Sequence, residues 1–213
     1  MIQAVIFDMD GVLFDTERLG IVQQLKACSE VGCPVTEDVI MRTMGSSMIA
    51  GREILQSALG QDFPYEKMIE RWTELMYEDM ALNGIPQKPG IQELLAVLKE
   101  KGIKTAVATS NNRSIVENYM QMAGLTNSFD EVVCGDSIKR SKPAPDIYLA
   151  AAQRLGVEPS KCMGVEDSVN GVKSVRSAGM VSVMVPDTIP FTETLSPYVD
   201  HCVPTLKDII PLL

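Results

Sequence analysis

The stretch AVIFDMDGVLFDTE, residues 4–17, decides how the rest of this chain is read. Its first four residues are apolar, the mark of a short strand buried on both faces. Asp8 and Asp10 follow, and then Gly11. Two carboxylates at i and i+2 beyond a strand end lie near one point, and a glycine beside them lets the backbone approach a ligand closely. Taken alone, the pattern is equally a strand running into an Asp-rich turn. What the later strands deliver decides between the two.

Outward from this strand the pattern first turns helical. Helices are expected over 17–32, 36–42, 48–60 and 65–81; the first carries Leu19, Ile21, Val22 and Leu25 at helical spacing, with Gly32 placed as a C-cap. NGIPQKP, residues 83–89, reads as a linker. Beyond it, helices (91–101, 113–123, 146–155, 169–178) alternate with strands (103–108, 131–134, 162–165, 181–185), each helix closed by a glycine at 102, 124, 156 or 179. Apolar strands between amphipathic helices predict an α/β fold, a Rossmann-like doubly wound parallel sheet. The first strand needs those later strands as partners. The expected organisation is therefore a discontinuous core, 1–14 and 86–213, with a small all-helical insertion over 15–85. Residues 14–17 and 83–89 would be the hinges. No internal repeat is visible.

The bulk properties bound the function. At 213 residues the chain can bury a proper core, and its composition, 46% hydrophobic and 22% charged, is that of a soluble globular protein. A formal net charge of −9 argues against nucleic acid as a partner. No apolar run reaches the roughly 18 residues of a membrane span, and no secretory leader is expected at the N-terminus. Five cysteines (Cys28, Cys33, Cys134, Cys162, Cys202) without CxxC spacing suit reduced thiols of a cytoplasmic protein. The only histidine, His201, has no partner motif, which disfavours zinc or Ser-His chemistry.

Parallel sheets bind ligands beyond the C-terminal ends of their strands. After strand 103–108 comes Thr109-Ser110-Asn111-Asn112, either an N-cap cluster or a phosphate cradle at a helix N-terminus. Residues 135–146, GDSIKRSKPAPD, hold Lys142 before Pro143-Ala144-Pro145, which stiffens its backbone. After strand 162–165 come Glu166-Asp167-Ser168 and Asn170-Gly171; the two acids either cap the next helix or hold a cation.

Together these motifs resemble the haloacid dehalogenase superfamily of phosphatases and phosphomutases. DMDG is similar to its first motif and Thr109 to its second, while SKPAPDIY and GVEDSVNGV are similar to the third and fourth motifs of the β-phosphoglucomutase-like branch. The likeness spans essentially the whole chain and makes the helical insertion a cap domain. It implies that Asp8 attacks phosphorus to form an aspartyl-phosphate and that Asp10 serves as general acid and base. It implies phosphate binding by Asp8, Met9, Asp10, Thr109, Ser110, Asn111 and Lys142. The implied magnesium ligands are Asp8, Asp10 through its backbone carbonyl, Asp167, and Glu166 directly or through water.

Branch assignment rests on what the chain lacks. Asp10 argues against a dehalogenase, and the cap lysines Lys26 and Lys67 sit in no phosphonatase-like motif. In β-phosphoglucomutase-like enzymes the resemblance places a histidine where Gly20 stands and a phosphate-binding arginine where Met48 stands, with Arg71 as a loose stand-in for a cap lysine. The expectation is a magnesium-dependent phosphatase acting on a small phosphorylated metabolite, a sugar phosphate by default. The alternatives are a β-phosphoglucomutase-like phosphohexomutase and a non-catalytic binding protein. A methionine-containing cap (Met41, Met44, Met48, Met68, Met76, Met80) reads as a core or as an assembly surface. A monomer or weak homo-oligomer is expected.

Overall fold

A computed structural model describes residues 1–44 and 48–213; the side chains of Met48 and Ile49 also lie outside the described residues. The chain divides into two compact units, residues 1–15 with 85–213, and residues 16–84.

The first unit is built on six parallel strands: β1 (Ala4–Phe7), β2 (Lys104–Thr109), β3 (Glu131–Cys134), β4 (Cys162–Glu166), β5 (Val181–Met184) and β6 (His201–Cys202). Their order is β3-β2-β1-β4-β5-β6. The helices of this unit are α5 (Ile91–Glu100), α6 (Arg113–Met122), α7 (Asp146–Leu155) and α8 (Val169–Ser177). This is the doubly wound parallel sheet that the alternating pattern predicts. All four residues of β1 are buried, which is why its sequence is continuously apolar and not alternating. One side of the core gathers Ala4, Ile6, Ala106 and Ala108 from the strands against Ile147, Tyr148 and Ala151 of α7. Small alanines on the central strands let α7 lie close to the sheet.

Two strand ends that bear on the site, and one outer strand, differ from expectation. Thr109 and Glu166 are the last residues of β2 and β4, not the first residues of the following loops. β6 is only two residues long, too short for a periodic signal, and it extends the sheet through Val183 and Met184 of β5. The single histidine stands exposed on that outer strand.

The loop after β1 is held by its own backbone. Leu13 and Phe14 N–H both donate to the Met9 carbonyl, and Gly11 N–H donates to Phe14 O at 2.8 Å. Phe14 also bridges antiparallel to Gln87, and Asp15 N–H donates to Pro86 O, so the outgoing and returning chains are tied together. Lys88 adds an ion pair at 2.8 Å to the fully buried carboxylate of Asp187, beyond β5.

The second unit holds α1 (Thr16–Glu30), α2 (Glu37–Met41), α3 (Met48–Leu59) and α4 (Tyr65–Asn83). Its core includes Ile21, Cys28, Ile40, Leu55, Met68 and Leu75. Met68 belongs to that core and Met41 and Met44 pack against it, so these three fill space inside the unit; Met76 and Met80 are also buried. Among the described residues, no helix is long and apolar enough to cross a membrane.

Gly164 in β4 shows how tightly a helix packs on the sheet. A Cβ there would lie 2.5 Å from a Val175 methyl of α8. Gly164→Ala is expected to lower stability by about 1–3 kcal/mol through overpacking. In a Val175→Ala background the added cost should fall to less than half of that. Urea unfolding of the four proteins of the cycle measures both values.

Candidate active site

Strand order and register bring the charged residues together. β1 is the point where the chain reverses direction across the sheet, stepping outward through β2 and β3 and then returning to β4 on the other side. Such switch points leave a crevice beyond the strand ends. Phe7 pairs with Val107 of β2 and with Val165 of β4. One residue further, Asp8 stands level with Glu166, and its N–H donates to Val165 O at 2.9 Å.

Lys142 enters this crevice from the loop before α7. Its Nζ lies 2.8 Å from Asp8 Oδ1 and 2.6 Å from Glu166 Oε1, and it donates to the Ala108 carbonyl at 3.1 Å. Three donors thus meet three acceptors in a dry place: the Lys142 side chain is 8% exposed and that of Glu166 is fully buried. The ammonium also sits 5.3 Å from the centre of the Tyr148 ring, a favourable cation–π distance. Tyr148 O–H donates to Glu166 Oε1 at 2.7 Å, and Ser168 O–H donates to Oε2 at 3.1 Å. The Ser168 hydroxyl also accepts from Gly171 N–H, so Ser168 is the N-cap of α8 and the two acids before it are not.

Glycines make room for these carboxylates. A Cβ on Gly171 would fall 1.8 Å from Glu166 Oε2. Gly11 is constrained twice, by a left-handed φ of +72° and by Asp167 Oδ2, which would lie 2.1 Å from its Cβ.

The second strand end is arranged differently from a simple helix-terminus cradle. Asn112 caps α6 by accepting from Ile115 N–H, and Asp136 takes the N–H of Arg113, so those first-turn donors are engaged within the protein. Thr109 is buried, and its Oγ1 accepts from Asn111 N–H at 3.2 Å. The Asn111 side chain donates to Asp10 Oδ2 at 2.6 Å, a contact that the sequence did not suggest. Ser110 is exposed, while Met9 is wholly buried. Arg71, in the second unit, is held by Glu30, Glu74 and Glu78 as a helix-face ion-pair network. The Lys88–Asp187 pair is a further buried charge contact that no motif announced.

The electrostatics follow from burial. Burial, and next the charge of Glu166, push the Asp8 carboxyl up to about 7 against the pull of Lys142. Burial works to lower Lys142, but the charges of Asp8 and Glu166 and its hydrogen bonds to both outweigh it and hold the ammonium above its ordinary value. Burial, then the same two carboxylates, keep the Tyr148 phenol protonated and donating.

A divalent cation fits this donor set. Asp8, Glu166 and Asp167 each offer a carboxylate oxygen, and these atoms lie within 4.8 Å of one another. All are hard oxygen donors of the kind magnesium takes. Fully ionised, three carboxylates and one ammonium carry a formal excess of two negative charges.

Two outcomes follow. Lys142→Ala leaves Asp8 and Glu166 without their shared ammonium, and stability measured by urea unfolding should drop by about 3–5 kcal/mol. Because the Asp8 carboxyl is raised from 3.8 to about 7, its ionisation opposes folding of the cation-free protein increasingly as pH rises between those values. A proton and a cation bound there would compete for it. Magnesium affinity measured by calorimetry should be nearly flat above pH 7 and fall about tenfold per unit below it, with about one proton released per ion bound.

Comparison with known proteins bears on the whole chain. The family model for haloacid dehalogenase-like hydrolases matches residues 5–185. The phosphorylated carbohydrates phosphatase of Thermotoga maritima is 37% identical over 181 residues, 84% of this chain and 82% of that protein. Hexitol phosphatase B of Escherichia coli is 31% identical over 191 residues, 87% of this chain and 84% of that protein. A crystal structure from Thermotoga maritima, provisionally named beta-phosphoglucomutase, superposes with a TM-score of 0.84 at 34% identity, covering 99% of this chain and 98% of that one. The chain belongs to the haloacid dehalogenase-like hydrolases, in the branch that holds phosphatases and β-phosphoglucomutase-like proteins.

Proposed function

We propose that this hydrolase is a magnesium-dependent phosphatase that releases phosphate from a small phosphorylated carbohydrate through an aspartyl-phosphate on Asp8. The Lys142 ammonium shared between Asp8 and Glu166 carries the reading, because a carboxylate nucleophile must meet an anionic phosphate. Two like charges about 4 Å apart repel by roughly 1 kcal/mol in water and several times more in a dry site. Magnesium held by Asp8, Glu166, Asp167 and the Asp10 carbonyl would neutralise part of that charge.

The protein's own groups do the rest. Asp8 attacks phosphorus as the ester bond breaks, and Asp10 gives its proton to the departing oxygen. Asp10 then takes a proton from water, the water oxygen bonds to phosphorus, and the Asp8–phosphorus bond breaks to regenerate the carboxylate. Lys142 steadies Asp8 and the charge on the transferring oxygens, with Thr109 and the 109–111 loop beside them.

Water as the acceptor is supported by Gly20. Its carbonyl accepts from the Trp72 indole at 3.0 Å, and it offers no side chain to hold a second sugar hydroxyl. Met48, the other discriminating position, has its side chain outside the described residues. The two phosphatase relatives favour phosphorylated carbohydrates as the substrate class. The phosphohexomutase reading draws on the T. maritima structure and on the third and fourth motifs. A reducing, cytoplasmic setting suits the five free thiols.

A panel of hexose, hexitol and pentose phosphates with magnesium should give phosphate release that disappears in Asp8→Asn. No release from any ester would sink the phosphatase. β-Glucose 1-phosphate with a trace of the bisphosphate should yield phosphate; conversion to glucose 6-phosphate without phosphate loss would make the protein a mutase.

A further inference from the structure

Asn111 stands in the loop between β2 and α6, and every polar bond it makes is directional. Its N–H donates to Thr109 Oγ1 at 3.2 Å, and its carbonyl accepts from Gly135 N–H at 2.8 Å. Gly135 reaches that carbonyl only because it has no side chain; a Cβ there would lie 2.1 Å from the Ser110 carbonyl oxygen. The end of β3 therefore clamps the backbone of residue 111. From this fixed base the side-chain amide donates to Asp10 Oδ2 at 2.6 Å. The amide nitrogen faces Oδ2, so the Asn111 side chain meets Asp10 as a donor.

We infer that Asn111 is a positioning residue for Asp10, not a ligand of the transferred phosphate. An amide N–H on Oδ2 engages that oxygen as an acceptor. That bond restrains rotation of the carboxyl, which keeps it aimed while it first gives and then takes a proton. A phosphate ligand would instead direct its amide donors to the phosphoryl oxygens. The inference rests on the role proposed above for Asp10.

Leaving groups separate the two roles. An alkoxide needs a proton as it departs, whereas p-nitrophenolate leaves without one. The comparison therefore uses p-nitrophenyl phosphate and the sugar phosphate from the panel that the wild type hydrolyses fastest. General acids contribute about 10²- to 10⁴-fold, so Asn111→Ala should lower kcat/KM on the sugar phosphate by about 10- to 100-fold. The loss on p-nitrophenyl phosphate should be several-fold smaller. In an Asp10→Ala background, Asn111→Ala should cause no further loss on the sugar phosphate. Equal losses on both esters, accompanied by weaker product inhibition by inorganic phosphate, would make Asn111 a phosphate ligand and overturn the inference. So would an additive loss in the double variant. If circular dichroism shows Asn111→Ala unfolded, Asn111→Ser is judged by the same ratio of losses. A wild type that releases phosphate from neither ester overturns the phosphatase reading and this inference together, whereas an active wild type with equal losses overturns only the inference.

Discussion

The rest of the site depends on one buried ammonium. Lys142 donates to Asp8, Glu166 and the Ala108 carbonyl, and each acceptor comes from a different strand or strand end. Two carboxylates this close would otherwise repel in a low-dielectric place, where unpaired charge costs several kcal/mol. Lys142 makes the arrangement tolerable without neutralising it, and that incompleteness is chemically useful. Asp8 remains less acidic than an ordinary aspartate, and the donor set offers oxygens that could hold a cation. A fully compensated site would be more stable and less able to bind anything.

The supporting residues make sense as consequences of that ammonium. The Tyr148 ring lies beneath it and the phenol tethers the far acid, so α7 serves both partners of the pair. Glu166 accepts from three side chains, which fixes its plane. Crowding carboxylates onto strand ends also demands empty space next to them. Gly11 and Gly171 supply it, and in each case the motif glycine is there for the carboxylate lying where its Cβ would be. The backbone turn at Gly11 needs the same residue for a second reason, its positive φ.

The fold was legible because its signals are local and repeated. Continuous apolar runs mark two-faced strands, glycines end the helices, and charged residues sit after the runs. Those rules place Asp8, Thr109, Lys142 and Glu166 near neighbouring strand ends from the sequence alone. They fail where the deciding contact is between side chains distant in sequence. Asn111 meeting Asp10, and Lys88 meeting Asp187, span 101 and 99 residues and leave no periodic trace. Short elements fail for another reason: β6 has two residues, exposed on both, and draws its pairing entirely from β5. The N-terminus of α6 misleads in a third way. Its run of hydroxyl and amide residues suits a phosphate cradle, yet Asp136, arriving from the turn after β3, takes a first-turn N–H.

Which oxygen accepts the phosphoryl group is a separate matter from the fold, since relatives with this architecture carry both phosphatase and phosphoglucomutase names. Water needs no binding pocket of its own; a second sugar hydroxyl must be gripped and aimed. Gripping takes directional donors or charges, and those come from side chains. At position 20 there is none, and the indole of Trp72 already uses the backbone carbonyl. Arg71 has the right charge, but three glutamates hold it within its own helical unit. Freeing it for a substrate anion would leave those three carboxylates to repel one another. On the resemblance that gives these positions a sugar-holding role, Gly20 and the engaged Arg71 favour water, the acceptor proposed above.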